Sequence, residues 1–326
     1  MKRFLIIPIL IILLISACNT NPPTQSIEEA LGKVVITSNV NNAEIWIDNK
    51  FSNHYTPDTV SITLGSHSLQ LKKIGYSSPS QNITVINDSI NTYHIELVEI
   101  VSKLVLLEDF ANVSCTPCVT SNKIIESIQH SYGKEKIAII KYPTSFPSPF
   151  DPFYTANKPD SDNRRAYYNV NTAPTIVVDG LLRPLPQDSN MIKQRIDAQL
   201  EGKAKFKIVV QDSIISSNYT VNISVTLLDG SEISLNDVFL HCVVTETDIE
   251  FASPPGSNGE TKFYNVMRVM LPSNQGESLS TLVLNQQRYF ERSTPINSNW
   301  VKEKLNTVVF IQNKITKEVY QANSTF

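Results

Sequence analysis

Cys115-Thr116-Pro117-Cys118 is the feature that most restricts how this 326-residue chain can fold. The pair follows Lys103–Phe110, which reads as a buried strand. It precedes Val119–His130, where Ile124, Ile125 and Ile128 share one helical face. A strand that runs through a dithiol loop into a helix sets the first thiol at the helix N-terminus. Unpaired N–H groups and about half a positive charge there favour a thiolate. Cys115 is then the attacking thiol and Cys118, one turn in, the thiol that resolves a mixed disulfide. Pro117 suits the first turn, where its missing N–H would have had no partner anyway. The other chemistry open to such a pair is half of a zinc site, which needs two further Cys or His ligands. No second C-x-x-C and no closely spaced histidine pair exist, and His130 lies at the far end of the helix, so neither a metal nor a cofactor is expected.

The N-terminus points to export. Lys2 and Arg3 precede the apolar run Phe4–Ile15, which rises only ~18 Å as a helix against a ~30 Å hydrocarbon core. Residues 1–17 therefore read as a signal peptide. Its end, Ile15-Ser16-Ala17-Cys18, resembles the lipobox of bacterial lipoproteins, which implies that Cys18 is lipidated and is the membrane partner's point of attachment. Residues 18–32, polar and Pro-containing, read as a tether. Asn19 is not the acidic retention residue of inner-membrane lipoproteins, which favours the outer membrane. The formal net charge of −3 includes Lys2 and Arg3, so the exported chain is more acidic still and offers no basic footprint for nucleic acid.

Residues 33–100 alternate at period two. Val34 and Ile36, Ile45 and Ile47, then Thr59–Leu64, His67–Leu71, Asn82–Ile86 and Tyr93–Val98 are strand candidates, with Asp48-Asn49 as a turn. Six short strands predict a small all-β sandwich. The runs Ala43-Glu44-Ile45-Trp46-Ile47-Asp48, Tyr55-Thr56-Pro57, Leu64-Gly65 and Lys72-Lys73-Ile74-Gly75-Tyr76 resemble a PEGA domain, an accessory β-domain of envelope proteins. Asn41-Asn42-Ala43-Glu44 replaces the namesake tetrapeptide. His54, His67 and His94 are read as structural or solvated.

Residues 101–202 follow β-α-β-α-β-β-α. After the helix, Gly133 occupies the C′ position and Ile137–Tyr142 is a second strand. Pro143–Pro159 reads as an insertion serving as lid or docking surface, followed by a short helix around Asn163–Tyr168. Thr175–Val178 and Leu181–Arg183 flank the Asp179-Gly180 hairpin signal, and Asn190–Leu200 is the last helix. The order and the dithiol resemble thioredoxin. That resemblance implies that Asp109, six residues before Cys115, is the buried acid beneath the site, and that Thr172-Ala173-Pro174-Thr175 is the cis-proline loop facing the pair. Thioredoxin's Trp and Gly-Pro are here Ser114 and Thr116-Pro117, so substrate choice does not transfer.

Residues 203–326 return to alternation at Phe206–Val210, Val221–Leu227, Val238–Val244, Phe263–Met270, Leu282–Leu284, Val308–Ile311 and Glu318–Tyr320, predicting an all-β immunoglobulin-like sandwich. Cys242 lies mid-strand, with His241 on the opposite face, and is expected to be a buried, inert thiol. The runs VLLEDFANVSCTPC, DPFYTANKPDSDNRRAYYNVNTAPTIVVDG and GSNGETKFYNVMRVMLP resemble the 28-kDa outer-membrane-protein lipoproteins of Bacteroidota, which join a thioredoxin-like domain to a β-sandwich. The marker Asn265-Val266-Met267-Arg268 is read as a strand or turn with an exposed Arg.

The fold class expected is thus multidomain: all-β, then α/β, then all-β. Two functions remain open. One is thiol–disulfide oxidoreductase chemistry on exported proteins with thiols or disulfides, through Cys115, Cys118, Asp109 and Pro174. The other is a non-catalytic lipoprotein that binds an envelope partner through its β domains, with Cys115–Cys118 as a structural disulfide. No Ser-His-Asp or paired-carboxylate grouping favours a hydrolase.

Overall fold

The computed structural model describes residues 30–87 and 89–326. The signal segment, the lipobox and Cys18 lie outside the described residues. Among the described residues no helix is long and apolar enough to cross a membrane. The chain divides into two compact units between Ile100 and Val101.

In the first unit the strands are β1 (Leu31–Ser38), β2 (Glu44–Ile47), β3 (Lys50–Tyr55), β4 (Asp58–Thr63), β5 (Gly65–Lys72), β6 (Tyr76–Ser77), β7 (Gln81–Val85), β8 (Asn91–Ile95) and β9 (Val98–Glu99). They form sheets of order β4-β1-β8 and β3-β2-β5-β7, with β6 and β9 as a separate ribbon. Alternation drives Val34, Ile36, Val60 and Ile62 of one sheet against Ile45, Leu69, Leu71 and Ile83 of the other, in a wholly apolar core. Each such side chain contributes about 1.5–3 kcal/mol on burial. Asp48 and Asn49 both take positive φ in the β2–β3 hairpin, the geometry a two-residue turn requires. β3 has no counterpart in the alternating pattern: it is an edge strand whose side chains are all half-buried or exposed. The three histidines are better partnered than their spacing suggested. His54 pairs with Asp58 at 2.7 Å, His67 with Asp48 at 2.7 Å and His94 with Glu96 at 3.1 Å.

The second unit begins with β10 (Val105–Ala111), α1 (Thr116–Tyr132), β11 (Ile137–Pro143), α2 (Pro152–Ala156), α3 (Lys158–Tyr167), β12 (Thr175–Val178) and α4 (Ser189–Leu200). It continues with β13 (Phe206–Ile215), β14 (Asn218–Leu227), β15 (Val238–Glu246), β16 (Ile249–Glu250), β17 (Lys262–Phe263), β18 (Val266–Leu271), β19 (Glu277–Ser278), β20 (Gln287–Pro295), β21 (Leu305–Asn313) and β22 (Val319–Ser324). One large sheet runs β12-β10-β11-β18-β15-β21-β22, with β19 beside β15. The change of periodicity near residue 202 is therefore not a break in the structure. β11 and β18, from either side of it, are parallel neighbours through Lys141 and Val266. The sheet also rolls onto itself: Val319 N donates to Asp179 O (3.1 Å) and Leu104 N to Gln321 Oε1 (2.8 Å). Gly180 sits at this closure, where a Cβ would lie 1.8 Å from Lys317 O.

Three cores follow. α1 and α4 cover Val105, Leu107, Ile137, Ile139, Ile176 and Val178 on one face. The rolled interior holds Phe110, Tyr142, Tyr168, Met267 and Phe310. The β13-β14-β20 sheet packs on the remaining face around Val221, Val225, Leu240 and Val309.

Two expected strands differ. Leu282–Leu284 makes only a single bridge, Leu227 to Leu284; the strand there is β20, which buries Phe290 alone and so carries no alternating signal. The Asp179-Gly180 turn forms with positive φ at both residues, but Leu181–Arg183 contributes one bridge at Leu182 rather than a strand.

Candidate functional site

β10 ends at Ala111, and the chain reaches α1 through a tightly held loop. Asn112 Nδ2 donates to Thr144 O (2.6 Å) and Ser148 O (2.9 Å), while its Oδ1 accepts from Ser114 N (2.9 Å). Val113 N donates to Asp151 (2.9 Å), which also caps α2 by accepting from Phe153 N and Tyr154 N. Burial raises the Asp151 carboxyl, and these N–H donors restrain the rise. Within the stretch expected to be an insertion serving as lid or docking surface, Asp151, Phe153 and Tyr154 are buried and form a brace, with Phe153 packed on Val113, Phe263 and Val266.

Cys115 is the N-cap of the 17-residue α1 and is bridged to Cys118, Cα to Cα 5.3 Å. The helix has no acidic residue in its first turn, and Gly133 at φ 70° ends it. Ala173 packs against Ala111, Cys115 and Cys118, and the Ala173–Pro174 bond is cis. Ala173, the residue before Pro174, is the one packed on the pair. A buried ion pair lies on the strands beneath α1. Asp109 follows Val105 and Leu107 onto the face that α1 covers, and Lys141 Nζ reaches its Oδ2 at 2.5 Å. Asp109 Oδ1 is buried without a partner. Lys141 also donates to Asn122 Oδ1, and Asn122 Nδ2 donates to both oxygens of Glu260 at 2.9 Å.

Lys141, Asn122 and Glu260 are site residues that the motif alone does not single out. Asn122 had a usable signal: Cys118, Ser121, Asn122, Ile125 and Ile128 form the buried stripe of α1, so a polar residue inside it needs a buried partner. Glu260 had none, being 142 residues from Cys118.

Both halves of the disulfide are buried: Cys115 is 2% exposed and Cys118 0%. Ala111 and Ala173 pack on them, and a distant segment lies against the loop that carries Cys115. Asn258 N donates to Val113 O (3.3 Å), Ser257 N to Ser114 Oγ (3.3 Å) and Asn258 Nδ2 to Cys115 O (3.5 Å).

The marker around Asn265 is explained by the junction between the two sheet halves. Lys141 N donates to Asn265 O (2.8 Å), Asn265 Nδ2 donates to Gln129, and φ at Asn265 is 56°. Arg268 is not exposed: it pairs with buried Glu246 at 2.8 Å and stacks over Phe153. Arg164 is likewise interior. It donates to both oxygens of Glu108 (2.6 and 2.9 Å) on the rolled side, where Tyr168 OH also donates to Glu108 (2.6 Å). Cys242 lies in the sandwich core, its thiol pushed up to about 12 by burial, while His241 faces the other way and stacks on Phe310. No group of three or more metal-capable side chains gathers among the described residues.

Residues 31–100 match the family model of the PEGA domain. No curated protein sequence matches the chain significantly. Among solved structures, HBP35 of Porphyromonas gingivalis is similar over 68% of this chain and 74% of that one, with a TM-score of 0.57 at 12% identity, a likeness of fold alone. A domain of the outer membrane lipoprotein Omp28 from Porphyromonas gingivalis aligns over 37% of this chain and 86% of that one at 17% identity, with a TM-score of 0.27. A protein from Agrobacterium tumefaciens aligns over 68% and 92% at 12% identity, with a TM-score of 0.44. Neither of these last two superpositions is close enough to carry an argument.

Proposed function

We propose that this chain is a lipid-anchored envelope protein whose thioredoxin-like segment exchanges disulfides with exported proteins through Cys115 and Cys118. The observation that carries this reading is the convergence of three elements on one disulfide. These are the N-terminus of α1, Ala173 packed on the pair, and the buried Asp109–Lys141 pair under the same helix. A purely structural bridge has no need of all three. The strand order β12-β10-β11, with α1 and α4 on one face, supports a thioredoxin-like segment, and the β13-β14-β20 layer an immunoglobulin-like one. The lipobox-like Ile15–Cys18 and Asn19 support attachment to the outer membrane.

In the exchange, a partner thiolate forms a bond to Cys115 Sγ as the Cys115–Cys118 bond breaks, and Cys118 leaves as a thiolate that takes up a proton. A second partner thiol then displaces Cys115, so the partner is oxidised to a disulfide as this pair is reduced to two thiols. The reverse course oxidises Cys115 and Cys118 and reduces the partner. The positive end of α1 favours the thiolate form of Cys115, and the free oxygen of Asp109 is an acceptor on the face beneath the helix.

A structural disulfide is the second reading, favoured by the burial of both cysteines. Trapping separates the two. A Cys118→Ala variant expressed in cells should accumulate reductant-sensitive adducts through Cys115, and a Cys115→Ala variant none. Absence of adducts in both favours the structural bridge. Cys18→Ser should abolish acyl labelling; label that persists removes the anchor from the proposal.

A further inference from the structure

The cover over Cys115 is built differently at its two ends. It is an arm whose base is the antiparallel pair β16 and β17, continued by Phe251 N donating to Thr261 O (2.9 Å). Phe251 and Phe263 pack on Phe153, ring centroids 5.8 and 5.1 Å away, so the base is apolar and fixed. The tip is Gly256-Ser257-Asn258-Gly259-Glu260, and no large apolar side chain holds it. Its hydrogen bonds to Val113, Ser114 and Cys115 run from 3.3 to 3.5 Å, at the long limit of such bonds. Only Glu260, shared between Asn122 and Asn258, is firmly bonded, at 2.6 to 2.9 Å. Gly256 lets the tip seat closely: a Cβ there would lie 2.3 Å from Val113 O and 2.6 Å from Val113 C, backbone atoms that cannot move aside.

We propose that the Gly256–Glu260 tip is a displaceable cover that closes the Cys115–Cys118 disulfide to incoming thiols, with Glu260 on Asn122 as its latch. The inference concerns regulation of the exchange site and rests on the exchange reading for its purpose. An attacking sulfur must approach Cys115 Sγ along the axis of the existing S–S bond. Cys115 is 2% exposed, with Ala111 and Ala173 packed on the pair and the tip bonded to the backbone on the remaining side, so departure of the tip is the step that opens this approach. The base stays docked on Phe153, so the motion is confined to the loop. Through Asn122 the latch also touches Lys141, which links closure to the Asp109–Lys141 pair.

The test is the rate at which dithiothreitol reduces the disulfide in the full chain. One dithiothreitol thiolate forms the mixed disulfide with Cys115 and releases Cys118. Its second thiol closes the oxidised ring and releases Cys115. Gly256→Val, which forces the tip off, and Asn258→Ala, which removes the side-chain bonds to Cys115 O and to Glu260, are each compared with the unmodified protein. Reduction at least tenfold faster in Gly256→Val, and several-fold faster in Asn258→Ala, is expected. Equal rates in all three proteins overturn the proposal. Should Gly256→Val fail to fold, amide hydrogen exchange in the unmodified chain decides: the Asn258 N–H is expected to exchange at least tenfold faster than the Phe251 N–H, and equal protection overturns the cover. Faster reduction in the variants with no adduct trapped by Cys118→Ala in cells keeps the cover and removes the exchange function. Trapped adducts with equal reduction rates do the reverse.

Discussion

Both units carry ion pairs at the surface, but only the second also buries them. In residues 30–100 the buried side chains are apolar except Thr56, and the acid–base pairs of His54, His67 and His94 lie on the surface. In residues 101–326 Lys103–Asp179, Lys141–Asp109, Arg164–Glu108 and Arg268–Glu246 are all interior. An apolar sandwich needs only alternation to specify its two faces. A sheet that rolls up and packs on both sides has strand faces with no outlet to water. Polar groups there must be matched one to one, because an unpaired buried charge costs far more than a paired one gains. The second unit therefore owes its particular junctions to buried pairs, and the first owes its shape to pattern.

If that contrast holds, removing one buried charge should do the greatest damage. Arg164→Met strands Glu108 and should destabilise residues 101–326 by about 3–5 kcal/mol, with much of the loss recovered by adding Glu108→Gln. Trp46 and Trp300, the only tryptophans, lie one in each unit, so urea unfolding in Trp46→Phe and Trp300→Phe backgrounds reads each unit separately. A loss shared by both units would break the comparison.

The histidines sharpen it, because their pH dependences should have opposite signs. Burial, helped by the charge of Arg164, holds His241 well below the ordinary imidazole value. The unfolded chain protonates near pH 6.5 while the folded ring does not. Stability of the second unit should therefore fall as pH drops below about 6.5, by up to ~1.4 kcal/mol per pH unit. His241→Phe should remove that slope. The difference between the two proteins isolates it from Asp179, whose buried carboxyl is pushed up to about 6 and acts in the other sense. In the first unit the hydrogen bond that His67 donates to Asp48, opposed by partial burial, raises His67. Its contribution is complete below about pH 6.5 and is lost as pH rises through the folded value. His67→Gln should flatten that loss at neutral to alkaline pH. Slopes of the same sign would refute the contrast.

The smallest effects belong to the first unit. Ile45→Val should cost about 1 kcal/mol, seen by Trp46 alone. Asp58→Asn, which removes an exposed partner of His54, should leave the melt unchanged within error.

The same contrast explains what was legible in the sequence. Alternation located most of the first unit and missed β3, where an edge strand has little to bury. In the second unit the dithiol, Gly133, the strand around Asp109 and the cis bond before Pro174 follow from local pattern or from resemblance. Glu260, Lys141 and Arg164 do not, because their meaning lies in partners 138, 32 and 56 residues away. Arg268 reads as exposed for the same reason: a charged residue in an otherwise apolar strand looks exposed until Glu246 is placed beside it. A boundary near residue 202 is visible as a change of period, while the β11–β18 pairing that spans it rests on a single registered pair.

The central claim is that Cys115 and Cys118 are an exchange couple and not a permanent staple. The direct measurement is their reduction potential, by equilibration of the full chain with glutathione until the oxidised fraction is constant. An exchange couple should lie in the range of known oxidoreductases, roughly −120 to −270 mV, and a value below about −300 mV, where inert structural disulfides lie, would contradict it.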